Sequence, residues 1–164
     1  MKTKMRECLP CTACCEGWLQ INVNSEEIYP GKPCSNCDTD KGCRIYENRP
    51  VEPCQNFICG WREARSPFPD WFRPDNAKVI VLLNNFSWKG YPVDCAVPVG
   101  KRIPPRALKW LMQYAQKYQR LLVYMEQETK GAKLDKNQLL SAYGPPLFRQ
   151  EIETMVREGK SLWE

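Results

Sequence analysis

Cys8-Leu9-Pro10-Cys11-Thr12-Ala13-Cys14-Cys15, a CxxCxxCC run, is the stretch from which the rest of the chain takes its meaning. A C-x-x-C pair lets two sulfurs converge on one metal ion within a tight turn, at zinc–sulfur distances of about 2.3 Å. The adjacent Cys14 and Cys15 point their side chains apart in most backbone conformations, so they suit two neighbouring ions better than one. Cys34, Cys37 and Cys43 follow, and the segment CRIYENRPVEPCQNFICGW adds Cys54 and Cys59. Nine of the ten cysteines therefore lie from Cys8 to Cys59, and only Cys95 falls outside. Nine thiolates exceed what one tetrahedral ion uses. The expectation is more than one metal, as two four-thiolate sites or as a compact cluster with shared sulfurs.

The whole chain has 164 residues, enough for one domain with a core. Hydrophobic residues make up 43% and charged residues 26%, ordinary globular usage that argues against wholesale disorder. Fourteen prolines and nine glycines favour loops over a helical bundle. There is no histidine. That removes every Cys-His or Ser-His nucleophile pair and every metal site that needs imidazole. A metal here must be held by thiolate, with carboxylate, backbone or water making up any remainder.

The basic N-terminus lacks the apolar segment of a signal peptide, and no run approaches the roughly 18 apolar residues of a membrane span. A soluble, cytoplasmic protein with no membrane partner is the expectation. In that reducing compartment clustered cysteines read as metal ligands rather than disulfides. The formal net charge of +5 counts thiols as neutral. Metal-bound thiolates would remove several of those charges, so the basic balance is a poor argument for a nucleic-acid partner.

Two regions differ in chemistry. Residues 1–63 carry eight Lys/Arg against nine Asp/Glu, a balance of –1, while residues 64–164 carry sixteen against ten, a balance of +6. The first reads as a cysteine-cluster, metal-binding lobe and the second as an α+β platform, the two making one compact unit. Ser66-Pro67-Phe68-Pro69-Asp70 is the connector. In the first region Leu19–Val23 suits a short strand, and Ser25 suits the N-cap of a brief helix through Ile28. The remainder is turn chemistry that cannot bury enough apolar surface to order itself, and metal supplies the missing free energy. In the second region Ala77–Phe86 reads as a buried strand and Tyr91–Val99 as a weaker one, joined at Trp88-Lys89-Gly90. A helix starts at Pro104-Pro105 with Leu108, Leu111, Met112, Ala115 and Tyr118 as its apolar stripe. Leu121–Met125 suits a third strand, and residues 146–158 a second helix with Ile152, Met155 and Val156 inward. The fold class is α+β: a metal-stapled loop lobe packed on a small sheet with two main helices.

Soft thiolates without imidazole suit zinc, iron–sulfur clusters or copper(I). The opening CxxCxxC resembles the cluster run of a bacterial ferredoxin, which continues with three residues, a cysteine and a proline. Here a cysteine follows at once and no second CxxCxxC appears. Residues 8–61 more closely resemble the YkgJ-type CxxCxxCC cysteine-cluster family, described as zinc- or iron-chelating and sometimes labelled Fe–S oxidoreductase. The cysteine spacing carries the resemblance together with Cys43-Arg44-Ile45-Tyr46-Glu47-Asn48-Arg49-Pro50. It implies Cys8, Cys11, Cys14, Cys15, Cys34, Cys43, Cys54 and Cys59 as the metal ligands. Cys37 departs from the family pattern, which has an apolar residue about three positions after Cys34. Some relatives use the cluster in lysine methylation of flagellin, which keeps group transfer open.

The functional expectation is therefore a protein that chelates zinc, two or more ions, or alternatively iron or an iron–sulfur cluster. In the alternative it is an oxidoreductase, electron carrier or group-transfer enzyme, although no catalytic dyad is visible. Closed four-sulfur sites leave no open position for substrate, which favours chelation. Arg49 either pairs with Glu47 or Glu52 or, with Arg44, donates hydrogen bonds near cluster sulfurs. Glu16, Asp38 and Asp40 are candidate oxygen ligands, with solvated turns as the simpler reading of the two aspartates. Cys95 reads as a small buried hydrophobe. Trp61, Trp71, Phe72, Trp88 and Trp110 read as packing rather than as a base-stacking platform. A protein partner is open.

Overall fold

The computed structural model describes residues 4–130 and 133–160. The cysteine-rich segment holds two small hairpins, β1 (Ile21–Val23) with β2 (Glu26–Ile28), and β3 (Cys37–Asp38) with β4 (Gly42–Cys43). The remainder forms a four-stranded sheet from β5 (Val79–Trp88), β6 (Tyr91–Pro98), β7 (Leu121–Lys130) and β8 (Lys133–Tyr143), in that order. Three helices accompany it: the single turn α1 (Pro74–Ala77), α2 (Pro105–Lys117) and α3 (Pro146–Arg157). The protein is α+β.

The β5–β6 hairpin closes through Lys89 and Gly90, both at positive φ, with Trp88 opposite Tyr91. That is the two-residue loop whose twist matches the flanking strands. The same device joins β1 to β2, where Asn24 and Ser25 have φ of 50° and 66°. The helix expected from Ser25 to Ile28 is thus a strand, because Ser25 sits in a hairpin turn and caps nothing. Strand β6 runs parallel to β7 and reaches it through α2, while β7 and β8 are antiparallel.

Strand alternation gives the sheet two covered faces. Val79, Val81, Ala96 and Leu122 face α2 through Ala107, Leu111 and Ala115, together with Phe68 and Phe72 from the connector. On the other face α3 covers one part, with Phe148 and Ile152 against Val93, Cys95 and Val123. The cysteine lobe covers the adjoining part, with Cys11, Ala13 and Cys59 against Ile80, Val97 and Met125. Tyr118 and Val156, expected inward, are exposed at 56% and 37%, each near the end of its helix.

Where β5 and β6 slip register between Leu82 and Phe86, Asn84 takes a positive φ. Its backbone N–H is met by the Asp94 carboxylate at 2.8 Å. Arg120 completes the arrangement with two bonds of 2.7 Å to the two oxygens of Asp94. Among the described residues no helix is long and apolar enough to cross a membrane.

Candidate metal centre

Short local turns set the cysteine positions. The Cys11 N–H donates to the Cys8 carbonyl at 2.8 Å, closing one C-x-x-C turn, and the Cys37 N–H donates to the Cys34 carbonyl at 2.9 Å, closing another. Between them the Cys34 N–H reaches the Cys15 carbonyl at 2.8 Å, tying the first turn to the second. Cys37 pairs with Cys43 across β3 and β4. Gly17, with φ of +96°, ends the Cys14-Cys15 turn so close to the chain that a Cβ there would lie 2.3 Å from the Tyr29 carbonyl carbon. Only glycine fits both demands. Cys54 sits in a helical turn at Val51–Gln55. Cys59 is fixed to the sheet by the next residue, whose N–H donates to the Val81 carbonyl at 2.7 Å.

These turns bring all nine cysteines from Cys8 to Cys59 to the wall of one cavity of about 80 Å³. The eight ligands that the family resemblance implies are there, and so is Cys37. Leu9, Ile21, Val23, Ile28, Ile45 and Phe57 make the intervening wall apolar. Cys95 lies elsewhere, fully buried beside Val93, Val123 and Phe148. All ten cysteines are free thiols. Among the described residues no group of three or more Cys, Asp or Glu side chains is drawn together as around a bound ion.

Burial in the apolar wall disfavours the charged thiolates. It pushes the Cys11 thiol up to about 11 and raises Cys8, Cys14, Cys15, Cys37, Cys54 and Cys59 as well. After burial, mutual repulsion acts, and it separates the adjacent pair. A charge on Cys14 is opposed chiefly by Cys59 and Cys8, whereas one on Cys15 is opposed chiefly by Cys37 and Cys8. Cys14 and Cys15 thus face different companions, with Cys8 common to both. Backbone amides favour two of the thiolates: those of Ala13 and Asp75 at Cys11, and those of Arg62 and Trp61 at Cys59. Such N–H donors stabilise a metal-bound sulfur.

Arg49 and Arg62 also line the cavity. Among the described residues neither pairs with a carboxylate. The guanidinium carbon of Arg49 lies 3.9 Å from the Tyr46 ring centre, so the pairing with Glu47 or Glu52 does not form. Arg44 is outside the wall, exposed, and donates to the Ser35 carbonyl at 3.1 Å. The three candidate carboxylates are outside it too. Glu16 accepts from the Thr12 hydroxyl at 2.7 Å, and Asp38 accepts from the backbone of Asp40 and Lys41 within a turn. Phe68, Phe72, Trp71 and Trp110 pack together between the connector and α2, with Phe68 and Phe72 stacked at 4.7 Å between centres and the other rings tilted. Trp61 differs, because it forms part of the cavity wall.

The family pattern omits Cys37, which stays a candidate ligand on the cysteine count alone, and nothing in the sequence singles out Arg62. For Cys37 the signal was present, since Cys34-Ser35-Asn36-Cys37 repeats the C-x-x-C spacing of Cys8 to Cys11. Soft thiols of this kind could hold a thiophilic metal ion as thiolates, with the unpaired guanidiniums of Arg49 and Arg62 offsetting their excess negative charge. Compared with family models, curated proteins and solved structures, the chain matches none.

Proposed function

We propose that this protein is a cytoplasmic cysteine-cluster metal binder that holds zinc, two or more ions, through Cys8, Cys11, Cys14, Cys15, Cys34, Cys43, Cys54 and Cys59, with Cys37 as a further donor. One observation carries the reading: nine free thiols from five separate stretches of the chain wall a single cavity. The resemblance to the YkgJ-type family points in the same direction.

The chain's own residues account for the chemistry of capture. Each ligand thiol gives up its proton, the amides at Cys11 and Cys59 hold the resulting charge, and Arg49 and Arg62 offset the excess. The apolar wall keeps water from competing. Bound zinc would supply the cross-link that the turn-rich lobe lacks.

A second reading, an iron or iron–sulfur centre used for electron or group transfer, is favoured by the size of the cavity. Its 80 Å³ is several times the roughly 10–15 Å³ that holds one water molecule. That leaves room for non-protein atoms between the sulfurs. Elemental analysis of protein purified without oxygen, with a visible spectrum on the same sample, separates the two. Two or more zinc per chain and no colour support the chelator; iron with acid-labile sulfide and a brown colour that bleaches on reduction supports the second reading. Metal content left unchanged by both Cys14→Ala and Cys15→Ala would sink either one.

A further inference from the structure

Two N–H donors in the cavity wall have no acceptor. The Nε of Arg49 and the Nε1 of Trp61 are both buried without a hydrogen-bond partner, and both residues line the cavity. Burying such a donor unmet forfeits its hydration without replacement. Native structures rarely leave one so without a functional reason, and here two share one cavity.

Neither side chain is loose. The Arg49 guanidinium carbon lies 3.9 Å from the Tyr46 ring centre, and the Arg49 carbonyl accepts from the Gln55 amide at 2.6 Å. Pro50 follows directly and restricts the backbone before it. The Trp61 ring is covered by the Arg6 guanidinium at 4.8 Å, and the Trp61 carbonyl accepts from the same Arg6 at 2.9 Å. The contacts that hold the two groups leave the Nε–H of Arg49 and the Nε1–H of Trp61 unspent.

We propose that Arg49 and Trp61 are positioning residues of the metal centre, whose Nε–H and Nε1–H donate to anionic acceptors that arrive with the metal. The acceptor is a metal-bound thiolate sulfur or a non-protein anion held by the ions; either carries a negative charge that a protonated thiol does not. This inference rests on the metal-binding reading above. A donor of this kind stabilises the deprotonated ligand and withdraws electron density from it, so it strengthens metal retention and tunes the centre's electronic state.

Cobalt(II), added to reduced protein without oxygen, is a coloured probe of thiolate sites. Trp61→Phe keeps the aromatic packing and removes the N–H; Arg49→Lys keeps the charge and removes the Nε–H; Arg49→Gln removes both. Affinity is read by competition with a chelator, and thermal melting checks the fold. Trp61→Phe and Arg49→Lys are each expected to bind the wild-type number of ions about tenfold more weakly, the loss associated with one charge-assisted hydrogen bond. Arg49→Gln should be weakest, with Arg49→Lys recovering part. A thiolate-to-cobalt absorption band displaced in the variants identifies sulfur as the acceptor. An unmoved band with weakened affinity identifies a bridging anion. Folded variants with wild-type affinity and an unmoved band overturn the proposal, and Trp61→Phe decides alone if the Arg49 variants do not fold. Wild-type protein that takes up no cobalt overturns the metal-binding reading first.

Discussion

Cys37 stands directly opposite Cys43 in the two-residue ladder of β3 and β4, and both line the cavity that holds seven other cysteines. Backbone pairing fixes one cysteine relative to the other, so a ligand role for Cys43 places Cys37 beside the same ions. Cys37→Ser should lower retained metal or its affinity about as much as Cys43→Ser does. Cys95→Ala, on the far part of the sheet, should keep the full complement. Metal analysis of the three variants after gel filtration in chelator checks this; full retention in Cys37→Ser would exclude Cys37 from the ligand set.

The sheet was legible because its pattern is local. The apolar β-branched run after Lys78 and the Lys89-Gly90 turn specify β5 and β6, and Pro105 and Pro146 mark helix starts. Strand β8 was not legible. Lys133–Tyr143 contains no β-branched residue and has charged or amide side chains at five positions, so only its pairing with β7 makes it a strand. In the lobe, spacing revealed which cysteines matter but not that they share one cavity. That sharing depends on bonds such as Cys34 to Cys15 and Gly60 to Val81, which span 19 and 21 positions. Periodicity carries no trace of them.

Metal uptake should release protons. Burial raises most of the cavity thiols above their ordinary value, with Cys11 at about 11, so at pH 7 they are protonated before metal arrives. Each thiol that becomes a ligand then loses one proton, about four per tetrahedral ion. Affinity therefore rises with pH through the neutral range. Calorimetric titration with zinc in buffers of different ionisation enthalpy counts these protons. A count below one per ion would mean that thiols are not the ligands.

Cys95 gives the protein an alkaline limit. Burial, helped by the charge of Asp94 and opposed by a hydrogen bond with Asn85, pushes its thiol up to about 12 from an ordinary 9.0. The unfolded chain loses this proton first, so the contribution is complete below about pH 9 and falls as pH rises towards 12. At about 1.4 kcal/mol per unit, wild type should lose ~2 kcal/mol more than Cys95→Ala between pH 7.5 and 10.5. Denaturant titrations at the two pH values measure the difference, and equal losses would contradict it.

Arg120 matters to the sheet rather than to the metal. Asp94 is 3% exposed, and Arg120→Ala would leave its charge buried without a counter-ion. The expected cost is about 3–5 kcal/mol. Adding Asp94→Asn to that variant should restore part of it, because the buried charge is then gone. Denaturant midpoints report the losses, with metal per folded chain unchanged. A loss within 0.5 kcal/mol, the range of an ordinary surface substitution, would contradict this account.

A thiolate metal centre is tested by the intact mass of anaerobically purified protein under native and then denaturing conditions. The native mass should exceed that of the bare chain by two or more metal ions, with or without sulfide. The denatured mass should be that of the chain with all ten cysteines reduced. Equal masses in the two states, or a denatured mass lowered by two hydrogens for each disulfide, would contradict a thiolate metal centre.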